Sequence, residues 1–446
     1  MQKSKLTLIY CAVLVLGLPA WPHSSSAEDV TKLGGDLSST LPERHAIQVG
    51  APNIVDRVRF ERQLSGFPVF HTLRRKSDGL GPEFNSNSCV SCHVNNGRGP
   101  AKFGRSLSVG SSMVVKVSLR GLNADRSPRD VPGIGEQLRD HNIRGRRQFD
   151  ISLKWATVTG KYSDGTKYEL RRPDLSFKIP KSNARRLVSS LRMTPALIGM
   201  GLLEAISEET ILALADADDS NGDGISGHPN YVTDDRTGER RIGRFGFRAR
   251  HTTVEQQSAA AAFHDIGVTS ILFLGNADRS GVVPAPELSD DDLDRLTIYQ
   301  AIAGVPFARN QEDPQVVRGK ERFQSIGCDA CHRMTLQTGT VKDAELSNQT
   351  FHPFTDLLLH DMGKGLADKR PEFSASGSEW RTTPLWGLGF SETLSSVKAL
   401  YLHDGRARTV EEAILWHGGE AAGVKDRFSA LAKSERDDLI AFLRSL

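Results

Sequence analysis

Cysteine is scarce in this chain, five in 446 residues, and four of the five are confined to two short matching stretches. An excess of charge of one sign is lacking too. The formal net charge is +3, and loss of Lys3 and Lys5 with an amino-terminal leader would lower it to +1, which gives no case for nucleic acid as a partner. Apolar length is also short. Leu6 to Leu18 falls below the about 20 residues that a spanning helix needs, and Pro19, Pro22 and His23 interrupt the stretch beyond it, so no lasting membrane anchor is expected. Hydrophobic residues at 38% and charged residues at 25% describe an ordinary soluble protein.

The cysteines present carry most of the information. Cys89-Val-Ser-Cys92-His93 and Cys328-Asp-Ala-Cys331-His332 each read as a c-type haem attachment site, in which two thiols form thioethers to the haem vinyls and the next histidine turns its imidazole onto the iron. Zinc would want a second thiol pair or further histidines at matching spacing, and a disulfide leaves the histidine unexplained both times. Two covalently bound haems c are expected, with His93 and His332 as proximal ligands. Residues 1–27 resemble a secretory leader, with Lys3 and Lys5 as its positive start, Leu6 to Leu18 as its apolar core and Ser25-Ser26-Ala27 as its cleavage site. Cys11 lies within it after the bulky Tyr10 and is expected to be lost. Export to the periplasm fits the chemistry, because covalent haem attachment in bacteria takes place outside the cytoplasmic membrane.

Residues 28–314 read as a first haem domain with insertions and residues 315–446 as a second. The first motif is framed by Gly79-Leu-Gly-Pro82-Glu-Phe-Asn85 and Asn95-Asn-Gly-Arg98-Gly, so it is expected on a loop. Alternation over 150–180 around Ser163-Asp164-Gly165 predicts a β-hairpin. Ala184 to Ile206 has helical spacing broken by Pro195, with Glu204 set among apolar residues, either at a helix boundary or buried for a reason. Asp219-Ser-Asn221-Gly-Asp223-Gly224 copies the first half of a calcium loop, but Asn230 stands where an EF-hand places its bidentate glutamate. A weak or differently completed calcium site within 219–230 and a plain surface turn both remain open. The basic clusters Arg144-Gly-Arg146-Arg147, Arg171-Arg172 and Arg185-Arg186 suit solvated faces or partners of haem propionates. Gly319 and Phe323 precede Cys328 on a short helix, Ser434 to Leu446 forms an amphipathic closing helix, and Gly66-Phe-Pro-Val-Phe70 is a weaker echo before Cys89.

From Gln315 onward the chain resembles a class I cytochrome c domain, in which the first and last helices cross at that glycine and aromatic residue. The stretches Gly79–His93, Leu191–Ile206, Asp219–Gly227, Gly243-Arg-Phe-Gly-Phe-Arg-Ala249, His360-Asp-Met-Gly363, Glu379-Trp-Arg-Thr-Thr-Pro384 and Leu402-His-Asp-Gly-Arg-Ala407 together resemble the bacterial di-haem oxidoreductase family. That family is distantly similar to the di-haem cytochrome c peroxidases and to the di-haem enzyme that matures a tryptophan-derived quinone cofactor. The resemblance implies a mainly α fold with two cytochrome c-like domains facing each other, the first carrying the β-hairpin. It also implies reduction of hydrogen peroxide at an open N-terminal haem, with Glu204 as acid/base. Electrons would enter through the C-terminal haem from a small protein donor, a cytochrome or cupredoxin.

The chain departs from its relatives at the distal ligands. Leu402 stands where they place a methionine or tyrosine on the C-terminal iron, and leucine cannot ligate; His360, Met362 and His403 are the candidates, of which Met362 would give a high-potential His/Met pair. No histidine follows His93 until His141, so the N-terminal haem is expected to be open, with His71 and Met193 as alternatives. An enzyme oxidising a protein or organic substrate through high-valent iron, and a plain electron carrier, are the competing readings.

Overall fold

A computed structural model describes residues 31–99, 112–145, 149, 151–178, 186–275, 283–391 and 398–446. The expected leader at 1–27 lies outside these residues, as do Arg146, Arg147 and Arg185 of the basic clusters. No helix among the described residues is long and apolar enough to cross a membrane.

The first long helix, α1 (Arg57–His71), starts where the Asp56 carboxylate accepts the Arg59 amide at 2.7 Å, satisfying one of the donors that a helix start leaves unpaired. After the first motif the chain turns to strands. Valine-rich β1 (Met113–Leu122) pairs with β2 (Pro128–Arg129) and β3 (Gln137–Leu138). The long arm of β4 (Ser152–Lys161) and β5 (Lys167–Ser176) turns at Ser163-Asp164-Gly165, where Gly165 has φ +83° and the Asp164 carboxylate accepts the Thr166 amide at 2.8 Å. β6 (Leu187–Met193) returns antiparallel to β1, from Met113 opposite Met193 to Leu119 opposite Leu187.

Helices then dominate. Short α2 (Met200–Glu204) leads to α3 (Glu208–Leu214), and α4 (Val254–Ala261) runs into a π-turn at Ala262–Ile266. α5 (Asp290–Ala301) is capped by Ser289 and carries three aspartates in its first turn, where the helix dipole favours them. α6 (Pro314–Ser325) opens on a proline behind an Asp313 cap. β7 (Leu359–Asp361) pairs with β8 (Glu379–Arg381), and α7 (Val410–Leu415), α8 (Ala422–Ala430) and α9 (Lys433–Ser445) close the chain.

Two helix crossings repeat one another. Gly319 of α6 lies against α9 so closely that a Cβ would overlap the Asp438 carbonyl oxygen and press on Phe442. Gly66 of α1 lies in the same way against α5, on the Arg295 carbonyl and Tyr299. In each pair an aromatic residue follows the glycine by four positions, one helical turn on the same face: Phe323 packs on Phe442 at 5.5 Å, and Phe70 on Tyr299 at 5.4 Å.

The expected mainly α fold is corrected by these strands. The described residues are 32% helical and 20% strand, and they form one four-stranded and six two-stranded sheets. Of the helix expected over 184–206, Leu187–Met193 is instead β6 and only Met200–Glu204 is helical, because Leu187, Leu191 and Met193 satisfy a period of two as well as a helical one, and β1 supplies the partner. Nor does the structure show two cytochrome c-like domains facing each other. One apolar core runs from Leu33 and Leu37 through Leu202, Phe323 and Phe351 to Leu446, and so belongs to both halves. The hairpin arm joins it, with Tyr162 donating to the Glu411 carboxylate at 2.7 Å and the Ser163 amide to the Ser429 carbonyl at 3.1 Å.

Candidate haem sites

At the second motif, α6 ends at Ile326, Gly327 takes φ +82°, and Cys328–Ala330 form a single tight turn. His332 Nδ1 lies 2.9 Å from the Phe354 carbonyl oxygen. A carbonyl only accepts, so Nδ1 carries the proton and Nε2 keeps its lone pair for a metal. Burial drives the His332 pKa down to about 4, against that carbonyl bond, so the ring is neutral near pH 7. Phe323, Phe354 and Phe442 form an aromatic cluster beside it, with the Phe323 ring 6.4 Å from the imidazole. Burial pushes the Cys328 thiol up to about 12.

The first motif sits on a loop beside α1. The His93 ring is 6.2 Å from Phe70, and burial lowers its pKa to about 4, although the Pro195 carbonyl lies near enough to favour the charged form. Its buried Nδ1 has no hydrogen-bond partner among the described residues. Cys89 and Cys92 are raised by burial to about 11 and about 12, so both remain protonated thiols.

Among the candidate distal ligands, His360 is held hardest. Its Nε2 lies 3.0 Å from Asp356 and its Nδ1 2.7 Å from Glu420, while Cys331 Sγ is 3.8 Å from Nδ1. Burial would lower the His360 pKa, but bonds to Asp356, Cys331 and Glu420 push it up to about 12. As placed it is an imidazolium with both nitrogens occupied. Cys331, Asp356 and His360 present ligand atoms within 4.8 Å of one another. His403 is buried and neutral, its pKa pushed well down by burial, and its ring stacks on Trp380 at 3.6 Å. Met362 is half-buried at the start of a short helical turn. Met193 is core, its amide donating to the His403 carbonyl at 2.7 Å, and His71 is stacked on Phe67 with Nδ1 2.9 Å from the Phe67 carbonyl.

Glu204 ends α2, and its Oε2 accepts the Val254 amide at 2.6 Å at the first turn of α4. Burial raises its pKa against that bond and the nearby Arg244. No hydrogen bond joins it to His93 among the described residues; Met200, one turn earlier on the same face, packs, as Cys89 and Val90 do, against the cluster of Phe70, Leu197, Leu296 and Tyr299. In the 219–230 segment, whose 220–224 part is exposed, Asp219, Asn221 and Asp223 accept the amides of Gly224, Asp223 and Ile225. Asn230 is instead fully buried, its amide donating to the Arg248 carbonyl at 2.7 Å, so it does not complete the loop.

The Arg98 side chain ties the first motif to the second half through the Leu400 carbonyl at 2.9 Å, while the Leu197 amide ties the segment after β6 to the Asn96 carbonyl beside the first motif at 2.8 Å. Around Trp380 a buried charge cluster forms: Arg192 and Arg248 lie over its ring at 4.4 and 4.0 Å and pair with Glu372 at 3.0 Å and Asp368 at 2.8 Å. Sequence reasoning missed this cluster and the clamp of Asp356 and Glu420 on His360, since their members come from distant segments.

Residues 46–446 match the family described as "Di-haem oxidoreductase, putative peroxidase". The chain belongs to that di-haem oxidoreductase family. Among curated proteins it is similar to the Cbb3-type cytochrome c oxidase subunit CcoP of Helicobacter pylori, 31% identical over 98 residues, which is 21% of this chain and 33% of that protein. The same subunit from strain 52 is also 31% identical over 98 residues. The match spans about a third of each of these relatives. No solved structure matches the chain significantly. The residues present fit a di-haem member of the family: each motif offers two thiols and a neutral, enclosed imidazole, and His93 keeps an orphaned buried nitrogen.

Proposed function

We propose that the protein is an exported, periplasmic di-haem oxidoreductase that reduces hydrogen peroxide at a haem held by His93, with electrons entering at a haem held by His332. Cys89 and Cys92, and Cys328 and Cys331, form the thioether bonds. The observation that carries this reading is the pair of motifs, each set beside a glycine-aromatic helix crossing and each ending in a neutral, enclosed imidazole. Haem supplies iron that binds peroxide and stores electrons.

The chain's own residues do the rest. His332 is oriented by the Phe354 carbonyl, which leaves Nε2 as the ligand atom. With no histidine between His93 and His141, a haem held by His93 would be the one free to receive peroxide. Glu204, a buried carboxyl with a raised pKa, is suited to take a proton from one peroxide oxygen and return it to the other. The aromatic cluster of Phe323, Phe354 and Phe442 excludes water from the His332 side.

Steady consumption of peroxide with a reduced small cytochrome or cupredoxin as donor supports this function. A protein that holds both haems yet ignores peroxide would leave the electron-carrier reading instead, and one that reacts once and then oxidises an organic or protein substrate would favour the other enzyme reading. Calcium at Asp219, Asn221 and Asp223 belongs to the proposal. It predicts bound calcium in protein purified without chelator and its loss in Asp223→Ala; equal metal content in the two proteins reduces the loop to a turn.

A further inference from the structure

Beside each motif stands an arginine that forms no salt bridge among the described residues. Arg98, five residues beyond His93, donates from Nη1 to the carbonyls of Leu400 and Leu402 at 2.9 and 3.3 Å. Arg381, on β8, donates from Nε to the Gly246 carbonyl and from Nη1 to the Thr382 carbonyl, both at 3.0 Å. Several other enclosed arginines do form one: Arg192 and Arg370 with Glu372, Arg248 with Asp368, Arg250 with Glu136, and Arg406 with Asp404. Arg139 and Arg244 are, like Arg98 and Arg381, held by carbonyls, but neither adjoins a motif cysteine or its histidine.

Carbonyl dipoles orient a guanidinium but do not cancel its charge, and a charge inside a protein is retained where a counter-ion meets it. Burial lowers both guanidiniums to about 10, opposed only by Tyr401 near Arg98 and by Asp356 near Arg381. Both keep part of their surface open although they lie deep in the chain. Arg98 leaves Nε and Nη2 without a hydrogen bond among the described residues, the side-on fork that meets a carboxylate with two parallel bonds; Arg381 leaves Nη2. Their places match the motifs. Arg98 comes directly after the first, while Arg381 stands next to Asp356, whose partner His360 is 3.8 Å from the sulfur of Cys331.

We infer that Arg98 and Arg381 hold the propionate carboxylates of the N-terminal and the C-terminal haem respectively, an inference that rests on the di-haem reading. A fixed cation at a propionate disfavours the more positive ferric state, so each arginine raises the midpoint potential of its own haem. Through its bonds to Leu400 and Leu402, Arg98 also fastens the first haem to the backbone just before His403.

The test is spectroelectrochemical titration of the purified holoprotein, with the two waves assigned from variants that lack the cysteine pair of one motif. Arg98→Gln is expected to move the N-terminal haem to lower potential and leave the other in place; Arg381→Gln is expected to do the reverse. Unmoved potentials, or a shift confined to the opposite haem, overturn the inference. Should a Gln variant fail to fold, the Lys variant decides. Its propionate bending band in the resonance Raman spectrum moves if a two-bond contact has been lost, and an unchanged band overturns the assignment. A parent protein without haem would instead sink the di-haem reading itself, before either variant is made.

Discussion

Glu204 carries two duties in one carboxyl. Its Oε2 accepts the Val254 amide and so caps α4, while burial raises its pKa toward the range where an acid/base group works. Glu204→Gln keeps an acceptor for that amide and removes only the proton. Stopped-flow reaction with peroxide should slow by about a hundredfold to ten-thousandfold, with haem content and circular dichroism unchanged. An unaltered rate would make Glu204 a cap alone. The motif histidines were legible residue by residue, because thiol spacing and the adjoining imidazole are local. The commitment of His360 to two carboxylates was not. Asp356 looks like any other aspartate until the chain around β7 is folded, and Glu420 lies 60 residues beyond His360 in the chain.

At the scale of elements, the two glycine crossings explain why α1 with α5 and α6 with α9 are the helix pairs beside the motifs. Added side chains have no room there, since the neighbour is backbone carbonyl and cannot swing aside. Gly66→Ala and Gly319→Ala should each destabilise the protein by about 1–3 kcal/mol, measured as a lowered denaturation midpoint. A variant as stable as the parent would show that the helices separate without penalty. The closing helix and the turn at Ser163-Asp164-Gly165 could be read from sequence because apolar period and turn chemistry agree there. β6 could not. Its leucines fit two periods at once, and the choice was made by pairing with β1, a strand far earlier in the chain.

At the scale of the whole molecule, buried charges join the two halves alongside the shared core. Burial alone would raise the Glu372 carboxyl, but Arg370, Arg192 and Arg248 bring it down to about 2. Because the folded value lies below the unfolded one, this stabilisation is fully present above about pH 4.5 and is lost as pH falls toward 2. Glu372→Gln should therefore cost about 3–5 kcal/mol near neutrality, by leaving buried arginines unpaired, and should flatten the acid limb of the stability curve. An acid limb like the parent's would move that role to other carboxylates. Such a cluster was invisible in the sequence, where Arg192 and Glu372 lie 180 residues apart and look like ordinary surface charges. The proposed division of labour between the haems turns on which iron is open. Electron paramagnetic resonance of the ferric protein, before and after cyanide, measures this directly. One high-spin signal that cyanide converts and that vanishes in His93→Gly is expected, beside a low-spin signal from the His332 haem; two low-spin signals, or a high-spin signal lost in His332→Gly instead, would contradict it.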